Sequence, residues 1–143
     1  MKTLSVNEHI TTVRRIFEQA VNARDFTVVD ELFAPDYVAH SALLGTVSGP
    51  ESFKRAFRGF TDPCPDFQGT LEDLFSAGDK VTARVTYRGT DTGGMFGRPP
   101  TGTTFTLGAI YIFRLGDGLV RELWQEADLL GLQRQLGLIP TTR

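Results

Sequence analysis

The chain has 143 residues, with 15 Lys plus Arg against 17 Asp plus Glu and a net charge of −2. That is one domain's worth, and at this size roughly 70% of the unfolded surface is buried, enough for a core without metals or disulfides. Hydrophobic residues at 41% and charged residues at 22% exclude a disordered tail, a collagen-like rod and a membrane span, and no basic excess exists to bind nucleic acid.

Cys64 is the only cysteine, so no intrachain disulfide forms and a reducing, cytoplasmic location is expected. Its place between Pro63 and Pro65 reads as a small buried apolar residue. The first thirty residues contain no apolar leader segment, so the chain is expected to be complete from its first residue. With only His9 and His40, a His-based zinc site or a Ser-His-Asp triad is disfavoured, and no metal is expected.

Ser5-Val6-Asn7-Glu8 has the form of a capping box. Val6, Ile10, Val13, Phe17 and Ala20 then recur in steps of four and three, which predicts a helix over about 6–22. Asp25 caps a second, short helix that ends before Pro35, and residues 36–40 lead into a polar loop. Ser48-Gly49-Pro50-Glu51 starts a third helix, with Phe53, Ala56, Phe57 and Phe60 on its buried face.

After Pro65 the period changes to two. Strands are predicted over about 67–75, 80–90, 103–114 and 119–128. Gly116-Asp117-Gly118 is a hairpin turn, and the glycine- and proline-rich run 91–102 is a loop. The tail over 129–138 forms a short helix. Helices ahead of antiparallel strands make one α+β domain over 1–143, and such a sheet can curl into a half-open cone that suits a small ligand.

Alternation sorts the strand faces. Val81, Ala83, Val85 and Tyr87 face inward, as do Phe105, Leu107, Ala109, Tyr111 and Phe113, and Leu123, Gln125 and Ala127. Ile110, Ile112 and Trp124 face outward and predict a homodimer or higher homo-oligomer. Glu122 and Glu126 face outward too, and Arg84 and Arg88 pair with acids on that face. Glu72 and Asp73 are strand neighbours that point opposite ways and form no catalytic dyad. Gln125 is the odd inner residue: a buried amide without a partner costs about 1–3 kcal/mol, so it is expected to be hydrogen-bonded.

Several stretches resemble the SnoaL-like polyketide cyclase family of the nuclear transport factor 2-like superfamily. They are FAPDYVAHS, GPESFKRAF, the run from PDFQGTLEDLFSAGDKVTARVTYRGT to GMFGRPPTG, IFRLGDGLVRELWQEAD and LQRQLG. The resemblance covers nearly the whole chain. It implies a curved antiparallel sheet wrapped by N-terminal helices around a deep apolar pocket, usually in a homodimer or higher oligomer. It also implies aldol ring closure of an aromatic polyketide without metal or organic cofactor, with an inward Asp on the last strand as acid/base. Here that Asp position is Gln125, and the family's helper histidines fall at Tyr111 and Leu123. An amide cannot act as a general base.

The catalytic candidates are therefore His40, placed near the pocket mouth, with Gln125 and Tyr111 as donors to an enolate oxygen. An ordered water is the other proton carrier. Asp128 is expected to cap the tail helix. Apolar contacts to a substrate are expected from Phe17, Ala20, Ala56 and Phe60 on helices, and from Tyr87, Leu107 and Leu123 on strands. Met95 and Phe96 are expected on a loop that forms a lip. Two functions follow: a small cyclase-, isomerase- or hydratase-type enzyme, or a non-catalytic protein that binds a small hydrophobic molecule. A purely structural module would instead fill the pocket with its own side chains, against which a cavity of ~300 Å³ or more would count.

Overall fold

The computed structural model describes residues 6–140. Ser5 of the expected capping box lies outside them. Helix α1 (Val6–Arg15) continues into a π-helical stretch, Ile16–Asn22, in place of the single regular helix expected. The wider turn ends where Ala23 N–H donates to Glu18 O. It still buries Ile16, Phe17, Ala20 and Val21 completely, so the apolar stripe survives the change of pitch.

Helix α2 (Thr27–Leu32) follows, with Asp25 Oδ1 accepting from Thr27 N–H at 3.2 Å. The chain then enters strand β1 (Phe33–Ser41) and turns into β2 (Gly45–Ser48). The expected loop at 36–40 is therefore a strand. Pro35 falls where the β1 register is interrupted, between Phe33 and Val38, so its missing N–H breaks no regular ladder. Helix α3 (Pro50–Thr61) begins after Gly49 without a side-chain cap, because Ser48 belongs to β2.

Strands β3 (Gln68–Ala77), β4 (Lys80–Thr90), β5 (Thr104–Gly116) and β6 (Leu119–Ala127) match the predicted ones within two residues. The Asp117-Gly118 turn has both φ angles positive, 54° and 78°, as a tight hairpin requires. Helix α4 (Leu129–Gln135) closes the fold, and Asp128 caps it by accepting from Gly131 N–H at 2.9 Å.

The six strands form one sheet in the order β2-β1-β6-β5-β4-β3. All pairs are antiparallel except β1 with β6. The fold is α+β, with a curved open sheet whose inner face carries the helices and the core. A bulge between Leu71 and Asp73 leaves both Glu72 and Asp73 in solvent rather than on opposite faces. Asp73 instead pairs with Arg84 on the outer face, at 2.6 Å. No helix among the described residues is long and apolar enough to cross a membrane.

Candidate functional site

Along β4 and β5 the buried residues alternate strictly, and this parity brings Tyr87 and Tyr111 to the inner face. Register pairs Tyr111 with Gln125 on β6, and Gln125 with Ser41 on β1. Tyr37, two residues before Ala39 on the same face of β1, completes the set. These side chains face one cavity between the sheet and α3.

The cavity floor is apolar. Ala56, Phe57 and Phe60 approach from α3, and Leu107, Leu123 and Phe67 from the sheet side. Leu43, Leu44 and Val47 form the mouth. Space for the centres of water-sized molecules is about 60 Å³, and the empty space including the open mouth is about 640 Å³. The 60 Å³ is well below the ~300 Å³ usual for ligand pockets, and the larger figure counts open solvent. A multi-ring molecule therefore needs the mouth as well as the floor.

All three tyrosines of the chain line this cavity. The Tyr87 and Tyr111 hydroxyls are 2.5 Å apart in a buried hydrogen bond. Burial pushes both phenols well above their ordinary pKa. For Tyr87 the neighbouring Tyr111 adds to the rise, whereas bonds from Tyr87 and Gln125 ease the ionisation of Tyr111. Burial, then Tyr111, raises Tyr37 in the same way. At neutral pH the site holds neutral O–H groups, which are donors as well as acceptors.

Gly69 is what lets Tyr87 sit where it does. The two residues are register partners on β3 and β4. A Cβ at position 69 would lie 2.8 Å from Tyr87 Cε1 and 3.2 Å from Val85 Cγ1. Asn22 holds the Gly69 backbone at both ends, accepting from its N–H at 2.8 Å and donating to its carbonyl at 2.9 Å. Phe67 stacks on the Tyr87 ring at 5.0 Å.

Gln125 ties the floor to the mouth. Its Oε1 accepts from Ala42 N–H at 3.0 Å and from Ser41 Oγ at 3.3 Å. Ser41 Oγ in turn accepts from Leu43 and Leu44 N–H. With the oxygen occupied, the amide nitrogen is left for Tyr111. The partners expected for this amide are thus Ser41 and Ala42.

A family model for SnoaL-like polyketide cyclases matches residues 11–136. The chain belongs to the SnoaL-like polyketide cyclase family. Among its relatives, the aklanonic acid methyl ester cyclase DnrD of Streptomyces peucetius is 30% identical over 136 residues, 92% of each chain. TsrD from Streptomyces laurentii is 34% identical with a TM-score of 0.83, covering 96% of this chain and 100% of TsrD. IdmH from Streptomyces antibioticus is 29% identical with a TM-score of 0.79, covering 90% of this chain and 98% of IdmH.

Against this SnoaL-like frame several expected site residues fall elsewhere. His40 is not at the mouth of the cavity. As a β1 residue paired with Trp124 it points to the outer face, stacks on the indole at 5.5 Å and bonds Glu122 at 2.8 Å through Nε2. That bond, with Arg114, holds the Glu122 carboxyl below its usual range. Phe17 and Ala20 are fully buried behind the cavity, where Phe17 packs edge-on against Tyr111 at 5.2 Å.

Met95 belongs to the core, and Phe96 lines a separate surface groove with Arg55 and Arg58. Their loop is turned away from the mouth because Asp91 knots it. The buried Asp91 carboxylate accepts from Gly94 N–H, Thr101 N–H and Thr101 Oγ at 2.9–3.1 Å. The lip is 41–44 instead. Tyr111, Gln125, Tyr87, Ala56, Phe60, Leu107 and Leu123 do line the cavity. Tyr37 and Ser41 were missed, because the stretch after Pro35 reads as a loop and not as the strand it is. Cys64 is fully buried, and burial, then Asp91 and Asp66, push its thiol up to about 11, which makes it a poor nucleophile.

Proposed function

We propose that the cavity takes a flat, hydrophobic, carbonyl-bearing molecule of the aromatic polyketide kind and promotes ring closure beside that carbonyl. The observation that carries this reading is the buried set of neutral hydroxyl donors, Tyr87 and Tyr111 with Gln125, on an apolar floor. In the reaction, a C–H next to the carbonyl loses its proton to an ordered water and leaves an enolate. The O–H and N–H donors hold the enolate oxygen in a water-poor site, where such bonds are strong. The enolate carbon attacks a second carbonyl of the same molecule, a C–C bond forms, and the resulting alkoxide takes back a proton. The family relation and the name of the relative DnrD support this class of substrate.

A second reading, a binding protein without turnover, is favoured by one observation. Among the described residues, no carboxylate, imidazole or amine lines the cavity. The test is ring closure of aklanonic acid methyl ester by the wild type and by Gln125→Asp. If both turn over, with Asp faster, the enzyme reading holds. If only the Asp variant turns over, the pocket binds and lacks its base. If neither reacts or binds, the reading is wrong.

The proposal includes a homodimer through the outer face, where Ile110, Ile112 and Phe75 are exposed. Their apolar surface is uncovered in the single chain. Light scattering that finds a monomer at micromolar concentration would refute it.

A further inference from the structure

Tyr37 carries a hydroxyl that the fold itself does not use. The residue is 1% exposed and lines the cavity, yet its hydroxyl has no hydrogen-bond partner among the described residues. Its ring is fixed from behind by Phe33, packed edge-on at 4.8 Å, so the side chain is held rather than loose. It lies close enough to Tyr111 for that phenol to disfavour its ionisation. The hydroxyl is not fully buried, and the little of the residue that is exposed borders the cavity, where a ligand or a water can reach it.

Counting hydrogens sharpens the point. Tyr87 and Tyr111 own two hydroxyl hydrogens and spend one on their mutual bond. Whichever of them donates, one hydrogen of the pair is left over. Gln125 is already oriented by Ala42 and Ser41, so its nitrogen supports the pair. The unpartnered Tyr37 hydroxyl brings the second free hydrogen.

We propose that Tyr37 and the Tyr87–Tyr111 pair form a two-donor clamp on a single ligand oxygen, with Tyr37 a ligand-positioning residue that selects ketone carbonyls. This rests on the reading of the cavity as a small-molecule pocket. A carbonyl oxygen accepts both hydrogens at once, and an enolate oxygen accepts them more strongly. A hydrocarbon of the same shape leaves both hydroxyls dry and unpaired, so the clamp discriminates by penalty as well as by attraction. The Tyr37 hydroxyl adds nothing to the folded protein on its own, which separates it from Tyr87 and Tyr111.

The test uses two probes of one shape, 2-acetylnaphthalene and 2-isopropenylnaphthalene, in which a methylene replaces the carbonyl oxygen. Binding to the full chain is measured by equilibrium dialysis, and the bound ketone's C=O stretch by infrared spectroscopy. The wild type is expected to prefer the ketone by about tenfold or more, with the stretch moved to lower frequency. Tyr37→Phe is expected to lose most of both effects while its Tm stays about equal, since it deletes a hydroxyl that no other described group of the fold bonds. Tyr87→Phe breaks the mutual bond and is expected to lower Tm.

If the wild type binds both probes equally with an unshifted stretch, the pocket reading stands and the clamp falls. If neither probe binds, the pocket reading falls and takes the clamp with it. If Tyr37→Phe lowers Tm and keeps the ketone preference, Tyr37 is a packing residue and the inference is wrong. The infrared shift in the wild type needs no variant, so a poorly folding mutant cannot shield the proposal.

Discussion

Gly69→Ala is a one-methyl perturbation that should travel straight to the tyrosine pair. In most strands Gly→Ala stabilises by roughly 0.5–1 kcal/mol, because glycine loses more backbone entropy on folding. Here the new Cβ would sit 2.8 Å from Tyr87 Cε1, 3.0 Å from Cδ1 and 3.2 Å from Val85 Cγ1. The Tyr87 ring cannot swing away freely. Phe67 stacks on one side at 5.0 Å, and the hydroxyl is bonded to Tyr111.

The strand cannot shift either, because Asn22 grips the Gly69 N–H and carbonyl. Overpacking of this kind costs about 1–3 kcal/mol. Set against the entropy gain, the net loss is about 1–2 kcal/mol, or a fall in Tm of roughly 3–7 °C for a chain this size. Urea unfolding of the wild type, Gly69→Ala, Tyr87→Ala and the double variant makes a complete cycle. Removing the ring should relieve the clash, so the two changes should couple by about 1 kcal/mol or more. Additivity, or a Gly69→Ala protein as stable as the wild type, would refute the reasoning.

Other outcomes follow from the same structure. The three tyrosines are the whole tyrosine content of the chain, and burial raises all their pKa values, so native protein should show no tyrosinate absorbance at 295 nm as pH passes 10. Because the folded phenols hold their protons longer than unfolded ones, stability is intact below about pH 10 and falls above it. Tyrosinate should then appear together with the loss of far-UV circular dichroism, and a separate earlier titration would contradict the buried network. Asp91→Ala strips three hydrogen bonds from the loop 91–102 and should cost roughly 3 kcal/mol by denaturant titration. A cost under ~1 kcal/mol would show that the knot is not holding that loop. His40→Ala should leave ligand affinity and turnover unchanged, because the ring lies on the outer face against Trp124 and Glu122. A large loss of turnover with an unchanged fold would return His40 to the reaction.

Parity was legible because β4 and β5 alternate cleanly over eleven and thirteen residues, and β6 follows β5 through their register. It put Tyr87, Tyr111 and Gln125 inside and Ile110 and Ile112 outside, as the structure has them. Strand β1 was not legible. Pro35 and Asp36 interrupt its pattern, and its parallel partner β6 lies some eighty residues away, a pairing that no local signal announces. Reading 36–40 as a loop then misplaced His40 and hid Tyr37.

The lip was misassigned for a related reason. Glycine and proline content marks a loop but not where it folds, and the burial of Asp91 decides that here. The family resemblance singled out Gln125 as the residue expected at the position of the usual Asp. The amide's bonds to Ala42 and Ser41 depend on the β1–β6 pairing, so they emerge only from the fold.

The central claim is that neutral donors in this cavity hold the carbonyl oxygen of a polyketide-like ester while a ring closes. It is met most directly by single-turnover kinetics on aklanonic acid methyl ester with the wild type and Tyr111→Phe. The account predicts ring closure by the wild type and a rate at least about tenfold lower in the variant, with binding weakened less than turnover. Equal rates in the two proteins, or a wild type that neither binds nor converts the ester, would contradict it.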